Sequence, residues 1–516
     1  MSAPVTVYVP QDAGAVSVGA DAVADALRTA GGERVRVVRT GSRGLAWLEP
    51  LIEVETPAGR IAYGPVTSGD VDDLVVAGLL DGAPHRLCQG PTDDIPWLRD
   101  QDRVTFARVG VIDPASPDDY VAHGGLRGLE RALGMAPEAV VDEVEASGLR
   151  GRGGAGFPAG RKWRTVAQAP AGPRYICCNA DEGDSGTFAD RMLLEGDPFS
   201  LIEGMAIAAH AVGAAEGYVY VRSEYPEAVA SLRRAIAAAY EHGWLGESVL
   251  GSDLRFDLHV HVGAGAYVCG EETAMLESIE GRRGVVRTKP PIPAAAGLFG
   301  APTLVGNVLT LATATAVLAD GAAAYAARGV DTSRGTQVFQ LGGNIARGGI
   351  VETPFGITLE RLVYDFGGGA ASGRPVKAVQ VGGPLGAYLR ADALDVPLAY
   401  ESLADAGGML GHGGIVVFDD TVDMAQQARH AMRFCAAESC GRCTPCRLGS
   451  RRGVEILDAL IAGDDPEANL ALLDDLCEVM RNGSLCGLGG MTPLPVTSAV
   501  RGWPEDFTAR ETREGR

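Results

Sequence analysis

The chain opens with short apolar runs broken by turn residues. Val5-Thr-Val-Tyr-Val9 reads as a strand, Ala20 to Ala30 as a helix and Arg34 to Val38 as a second strand. Leu51 to Glu55 and Arg60 to Tyr63 predict a hairpin around Pro57-Ala-Gly59. From about residue 120 to 330, strands and helices alternate. Tyr175 to Asn179, Gly217 to Arg222 and Leu258 to Val262 read as strands, Pro226 to Tyr240 and Gly270 to Ile279 as helices. This order predicts a mostly parallel sheet with ligands at the strand ends. Thr303 to Ala319 is apolar, but Asn307 and its threonines make it a buried helix rather than a membrane span. Between 335 and 420, short strands at Gln337 to Leu341 and Val376 to Val381 flank one helix at Thr358 to Tyr364. The rest is helical at Asp423 to Ala437, Arg452 to Ala462 and Asn469 to Arg481.

A chain of 516 residues exceeds one core, and about 150 residues per domain implies three or four units. The pattern divides it near 1–110, 120–332, 333–420 and 421–516, with Asp113-Pro-Ala-Ser-Pro117 as a linker. The net charge of −21 argues against nucleic acid as a partner. The first residues lack the charged-then-apolar pattern of a signal peptide, so the expected location is the cytoplasm, without direct membrane insertion.

Cysteine placement changes the picture most. Cys440, Cys443 and Cys446 fall within seven residues, and Cys486 lies far downstream. Disulfides between such close neighbours are strained. Four thiolates suit zinc or an iron–sulfur cluster. Zinc sites usually come as two C-x-x-C knuckles, whereas three local cysteines and a remote fourth give the spacing of a 4Fe–4S cubane. Cys88, Cys177, Cys178, Cys269, Cys435 and Cys477 are expected to be buried, reduced thiols.

Three glycine-rich loops carry the second signal. Arg150-Gly-Arg-Gly-Gly-Ala-Gly-Phe-Pro158 contains a formal G-x-G-x-x-G, but the segment before it, Pro137 to Ser147, reads as a helix. The ordinary dinucleotide fingerprint needs a strand there. The loop can still offer backbone N–H groups to a phosphate, with charge from Arg152, Arg161 and Lys162 and flat packing from Phe157 and Trp163. The competing reading is a surface turn. Asn179, Asp181 and Glu182 close a strand and could hydrogen-bond a ring edge or ribose; an Asx-rich turn explains them equally well. Glu271 and Glu272 open a helix after Gly263-Ala-Gly-Ala-Tyr267, either as simple helix-terminal carboxylates or as charges beside a reactive ring.

In this order, the motifs at 150–158, Asn179-Ala-Asp-Glu-Gly183, Gly263–Tyr267 with Gly270-Glu-Glu-Thr273, and Glu438–Cys446 resemble one family over residues 120 to 500. It is the NADH-binding, FMN-containing flavoprotein subunit of respiratory complex I, with the related soluble diaphorases. The resemblance implies an α/β multidomain chain: a thioredoxin-like N-terminal domain, a Rossmann-like FMN- and NAD(H)-binding domain, a β-grasp module and a C-terminal helical bundle with a 4Fe–4S cluster. It implies that Gly151, Gly153, Lys162, Asn179, Asp181, Tyr267, Glu271, Val305 and Asn307 surround FMN, with Glu182 and Gly270 in the same motifs. Phe157, Asp184 and Glu272 would lie near the nicotinamide nucleotide, and Cys440, Cys443, Cys446 and Cys486 would ligate the cluster.

The front of the chain separates the relatives. Thr40-Gly-Ser-Arg-Gly-Leu-Ala-Trp-Leu-Glu-Pro50 resembles the cysteine loop of the thioredoxin-like 2Fe–2S subunit, with Ser42 and Ala46 in cysteine positions. Cys88 alone cannot hold a cluster there. The wording is most similar to the β subunit of NAD-dependent formate dehydrogenase. The implied function is therefore a diaphorase passing electrons between NAD(H), FMN and a 4Fe–4S cluster. Its expected partners are a 2Fe–2S thioredoxin-like subunit and a large molybdopterin/iron–sulfur subunit. Alternatives are the diaphorase of an NAD-reducing hydrogenase, the complex I subunit, or a non-catalytic scaffold with structural zinc. In the flavoprotein readings, no side chain need act as a catalytic acid or base.

Overall fold

The computed structural model describes residues 3–508. The N-terminal sheet has the order β2-β1-β3-β4-β5. Strands β1 (Val5–Pro10) and β2 (Val35–Thr40) run parallel around the helix Ala20–Gly31, whose Val23, Ala24 and Leu27 are buried. The expected hairpin forms from β3 (Ile52–Thr56) and β4 (Gly59–Tyr63), and β5 (Cys88–Pro91) closes the edge. This module does not stand apart. Leu45, Leu48 and Trp97 share a core with Phe339, Val351 and Phe366 of the third sheet, and Trp97 Nε1 donates to the Ile350 carbonyl at 3.0 Å.

The second sheet is wholly parallel, in the order β8-β7-β6-β9. Its strands are β6 (Tyr175–Ala180), β7 (Glu216–Val221), β8 (Asp257–Val262) and β9 (Thr303–Asn307). All four C-terminal ends therefore face one side. The long apolar run departs from the single helix expected: Thr303–Asn307 is strand β9, and only Val308–Asp320 is helical. Both pieces are largely buried, so neither shows a period. Asn307 makes the break. Its Oδ1 accepts from the N–H groups of Leu309 (3.0 Å) and Thr310 (3.3 Å), which caps the helix.

A small hairpin, β10 (Gly329–Val330) with β11 (Ser333–Arg334), leads to the third sheet. That sheet comprises β12 (Thr336–Gly343), β13 (Gly349–Pro354), β14 (Val376–Val381), β15 (Tyr388–Arg390) and β16 (Gly414–Asp419), in the order β13-β12-β16-β14-β15. Only β12 and β16 pair in parallel. The helix expected at Thr358 to Tyr364 starts as one α-turn, Leu359–Arg361, and widens into a π-turn, Leu362–Phe366.

The C-terminal part packs the helices Met424–Glu438, Thr444–Ala462, Pro466–Gly483 and Pro493–Gly502 around Met432, Leu457, Met480 and Val496. The second begins eight residues earlier than its apolar pattern suggested, because Cys443 stands at its N-cap and Pro445 in its first turn. Among the described residues, no helix is long and apolar enough to cross a membrane.

Candidate functional site

Two adjoining cavities, of about 280 and 520 Å³, lie at the C-terminal ends of β6 and β9. Gly153, Asn179, Gly270, Glu271, Asn307 and Cys486 line both. The smaller also takes Asp181, Glu182, Asp184 and Tyr267. The larger takes Gly151, Phe157, Lys162, Glu272 and Val305. Every residue expected around the flavin or the nicotinamide nucleotide thus meets in one place.

The glycine loop leaves the helix Pro137–Ala146, as the failed fingerprint context implied, and enters the helix Ala159–Ala167. It is closed on itself by Gly151 N–H donating to Phe157 O at 2.8 Å. A Cβ at Gly153 would stand 3.0 Å from Asn307 Cβ, so glycine brings this loop against the end of β9. Gly156 sits at φ +60°, where a Cβ would strike the Tyr400 ring at 2.6 Å. One expectation fails here. Arg152 does not offer charge to a phosphate; it is buried, and its guanidinium donates to Arg150 O (2.6 Å), Thr336 O (2.9 Å) and Tyr325 Oη (2.8 Å). Lys162 does line the larger cavity, with Nζ 3.2 Å from Val305 O and 3.7 Å from Glu272 Oε2.

The loop after β6 contains both spent and unspent groups. Asn179 ties two loops together: Nδ2 donates to Gly270 O at 2.8 Å, and Oδ1 accepts from Asp181 N–H at 3.1 Å. Asp181 Oδ2 is buried with no hydrogen-bond partner. Burial pushes the Asp181 carboxyl up to about 7. Glu182 is already spent. It accepts from the N–H groups of Asp190 (3.0 Å) and Arg191 (3.1 Å) and from Tyr225 Oη (3.2 Å). It therefore braces the loop rather than presenting a free acceptor. Asp184 accepts from Tyr267 Oη at 2.7 Å, and burial raises its carboxyl above the ordinary range. Tyr267 in turn meets the Phe434 ring edge-on at 4.8 Å and donates its N–H to Glu438 at 3.2 Å. That contact joins the smaller cavity to the helix preceding the cysteines.

Glu271 caps a helix and also lines the cavities. Its Oε2 caps the helix Glu272–Ile279 by accepting from Thr273 N (2.8 Å) and Ala274 N (2.9 Å), while the side chain also walls both cavities. Lys289 Nζ bridges Glu271 Oε1 (3.0 Å) and Glu272 Oε1 (2.6 Å). Burial opposes ionisation of Glu272, but Lys162 and Lys289 outweigh it and hold the carboxyl below its usual range.

The four cysteines gather where the C-terminal helices meet the parallel sheet. Cys440 follows Met424–Glu438, Cys446 lies in the first turn after Cys443, and Cys486 leads the short helix Gly487–Met491. A Cβ at Gly489 would stand 2.6 Å from Cys446 Cβ, so glycine lets the two segments close. Among the described residues, no three of these sulfurs come within 4.8 Å of one another. Burial pushes the Cys486 thiol up to about 11, and a bound metal would supply the charge that deprotonates it. Of the other cysteines, Cys177, Cys178, Cys269, Cys435 and Cys477 are buried, while Cys88 is half-buried.

Sequence reasoning missed Asp190, Lys289, Tyr400, Met409 and His412. Asp190, Met409 and His412 line the smaller cavity, Lys289 lines the larger, and Tyr400 backs the glycine loop by donating to Gly151 O at 2.8 Å. Three of them arrive from the third unit across more than 240 residues of chain. The only local signal was the glycine-rich setting of Leu410-Gly-His-Gly-Gly414.

The cavities fit a flat, polar-edged ligand. An orphaned acceptor at Asp181 Oδ2 is buried in the wall, and Gly153 leaves no side chain in the way. Comparison with known proteins agrees. A family model described as the Nuo51 FMN-binding domain matches residues 144–316. One described as the NADH-ubiquinone oxidoreductase-F iron–sulfur binding region matches residues 426–510. NADP-reducing hydrogenase subunit HndC of Solidesulfovibrio fructosivorans is 47% identical over 407 residues, which are 79% of this chain and 83% of that protein. An F-type subunit of the NADH-quinone oxidoreductase of Rhizobium meliloti is 44% identical over 79% of this chain and 97% of its own length. A crystal structure of an NAD+-reducing NiFe hydrogenase in the H2-reduced state superposes with a TM-score of 0.68 at 31% identity, covering 98% of this chain and 84% of that one. FMN, a 4Fe–4S cluster and NAD(H) are accordingly the cofactors of this chain. The chain belongs to the family of the F-type subunits of NADH-quinone oxidoreductase and the related hydrogenase subunits, NADH-linked oxidoreductase components built on an FMN-binding and an iron–sulfur domain.

Proposed function

We propose that the chain is the diaphorase subunit of a cytoplasmic, NAD-dependent formate dehydrogenase complex. FMN, when bound, supplies the exchange between hydride and single electrons. The protein's task is to bind, orient and insulate. In this reading Gly151, Gly153, Asn179 and Asn307 would hold FMN, and Asp181 Oδ2 would offer it a buried acceptor. Lys162 offsets phosphate charge. Phe157 and Ile292, about half exposed at the larger cavity, give apolar faces to the nicotinamide nucleotide. Cys440, Cys443, Cys446 and Cys486 hold the cluster.

One observation carries the reading: Cys486 lines both cavities, so a cluster ligand and the flavin chamber share a wall. Electrons then have no long gap to cross. The N-terminal module supports formate as the ultimate donor through its loop at 40–50, which resembles that of formate dehydrogenase β subunits while lacking the cysteines. The partners would be a thioredoxin-like 2Fe–2S subunit and a molybdopterin subunit. A second reading, the diaphorase of a hydrogenase, is favoured by the likeness to HndC and to the NiFe hydrogenase chain. Purifying the native complex and offering formate or hydrogen with NAD+ decides between them. Reduction of NAD+ by hydrogen but not by formate would overturn the formate assignment.

A further inference from the structure

The smaller cavity contains a buried imidazole that the proposed function does not use. His412, on the loop before β16, is 5% exposed. Its Nδ1 lies 2.5 Å from Arg152 O in the glycine loop. Its Nε2 lies 3.2 Å from Glu182 Oε1 and 3.3 Å from Asp190 Oδ1. Asp190 Oδ2 accepts from Asn307 Nδ2 at 2.8 Å. A single imidazole thus touches the glycine loop, the loop after β6 and the start of the helix Ala189–Gly196. Through Asp190 it also reaches the end of β9.

We propose that His412 is a positioning residue of the flavin site, clamping Glu182 and Asp190 to the glycine loop. The inference rests on the assignment of this cavity to FMN. These contacts are explained by a doubly protonated ring: Nδ1–H donates to the Arg152 carbonyl, Nε2–H donates to Glu182, and Asp190 Oδ1, which accepts no hydrogen bond, pairs with the ring's charge. Burial disfavours the charged ring, but Asp190 and Glu182 outweigh it and hold the imidazolium well above the ordinary histidine range. The other titratable groups around the cluster are Asp184, Tyr225, whose Oη donates to Glu182, Cys178 beside Asp190, and Arg222, which donates to the Glu182 carbonyl. The arrangement leaves one net negative charge where two buried carboxylates would otherwise face an anionic ligand. Asp190, already pushed up to about 6 by burial, would rise further without the cation. Its ionisation would then fall within the neutral range.

The test is FMN release from the full-length protein, followed by flavin fluorescence on dilution between pH 6.5 and 8.5. In His412→Gln, the FMN dissociation constant relative to wild type should climb at least fivefold across that range. In His412→Gln with Asp190→Asn, one carboxylate is gone and the ratio should become constant with pH. Taking ratios cancels Asp181, which titrates in all three proteins. A constant ratio in the single variant reduces His412 to space filling and overturns the proposal. So does a pH-dependent ratio in the double variant, or a stoichiometric divalent ion that is lost with His412. If the Gln variant does not fold, His412→Asn is measured in the same way. Failure of the wild-type protein to bind FMN at all would instead sink the cavity assignment.

Discussion

Two loops of this chain, Thr40–Pro50 and Cys440–Cys446, resemble metal-binding loops in sequence, and they are finished differently. In the first, polar groups answer one another. The Ser42 hydroxyl donates to Glu49, Gly44 N–H donates to Ser42 Oγ at 2.9 Å, and Leu51 N–H donates to Glu49 Oε2 at 3.0 Å. In the second, Cys446 Sγ meets Ser439 Oγ at 3.2 Å and Cys435 Sγ at 3.8 Å, and the backbone N–H groups of Leu488 and Gly489 face Cys486. In the flavin cavity, Asp181 Oδ2 is buried without a partner. A buried polar atom left unsatisfied by its own chain costs stability unless something else completes it. The flavin cavity therefore keeps a polar atom that its own chain leaves uncompleted. The front loop has closed over with hydrogen bonds instead.

The largest expected effect tests the open loop. Cys443→Ser should abolish the reduced-cluster signal in paramagnetic resonance while FMN remains at wild-type stoichiometry. Serine is a good N-cap, so the helix Thr444–Ala462 survives the change. A full cluster spectrum in this variant would break the comparison. Next, Asp181→Ala removes the orphaned acceptor and should weaken FMN binding about ten- to a hundredfold, the cost of a buried donor losing its partner. Wild-type retention of FMN by fluorescence would show that Oδ2 answers nothing.

The closed loop gives smaller effects. Burial, with Asp12 nearby, pushes the Glu49 carboxyl up to about 8. The folded state then holds a proton that the unfolded chain releases near the ordinary value. That contribution to stability is complete below the unfolded value and is lost as pH rises towards 8. Glu49→Gln should flatten the fall of melting temperature between pH 5 and pH 8, raising it by about 1 °C at pH 8 for each kcal/mol recovered in a cooperative unit of this size. The smallest expected effect is none. Ser42→Cys with Ala46→Cys should leave bound iron unchanged, because Cys88 is the only further thiol in that module. Two added irons would show that the loop kept its metal geometry.

Much of the site was readable from the chain because its motifs sit at strand ends. A parallel sheet brings all such ends to one side, so Asn179 and Glu271 could be gathered from the order of strands and helices, whereas Asn307 came only through the family resemblance. Two kinds of information were not local. The run from Thr303 to Asp320 hid a strand–helix boundary, since burial on every face erased the periodicity that would have marked it. Arg152 looked like a phosphate ligand because its neighbours are glycines; its actual partners, Thr336 O and Tyr325 Oη, lie more than 170 residues away. His412 was silent for the same reason, its three partners coming from three separate segments.

The contact between Trp97 and Ile350 has a consequence for how the molecule melts and how it can be cut. Leu45, Leu48 and Trp97 cover Phe339 and Val351, so removing the first 110 residues would strip an oily face rather than free a neighbour. The front and middle of the chain should consequently denature together, in one transition, and a shortened chain would need a substitute lid to stay in solution.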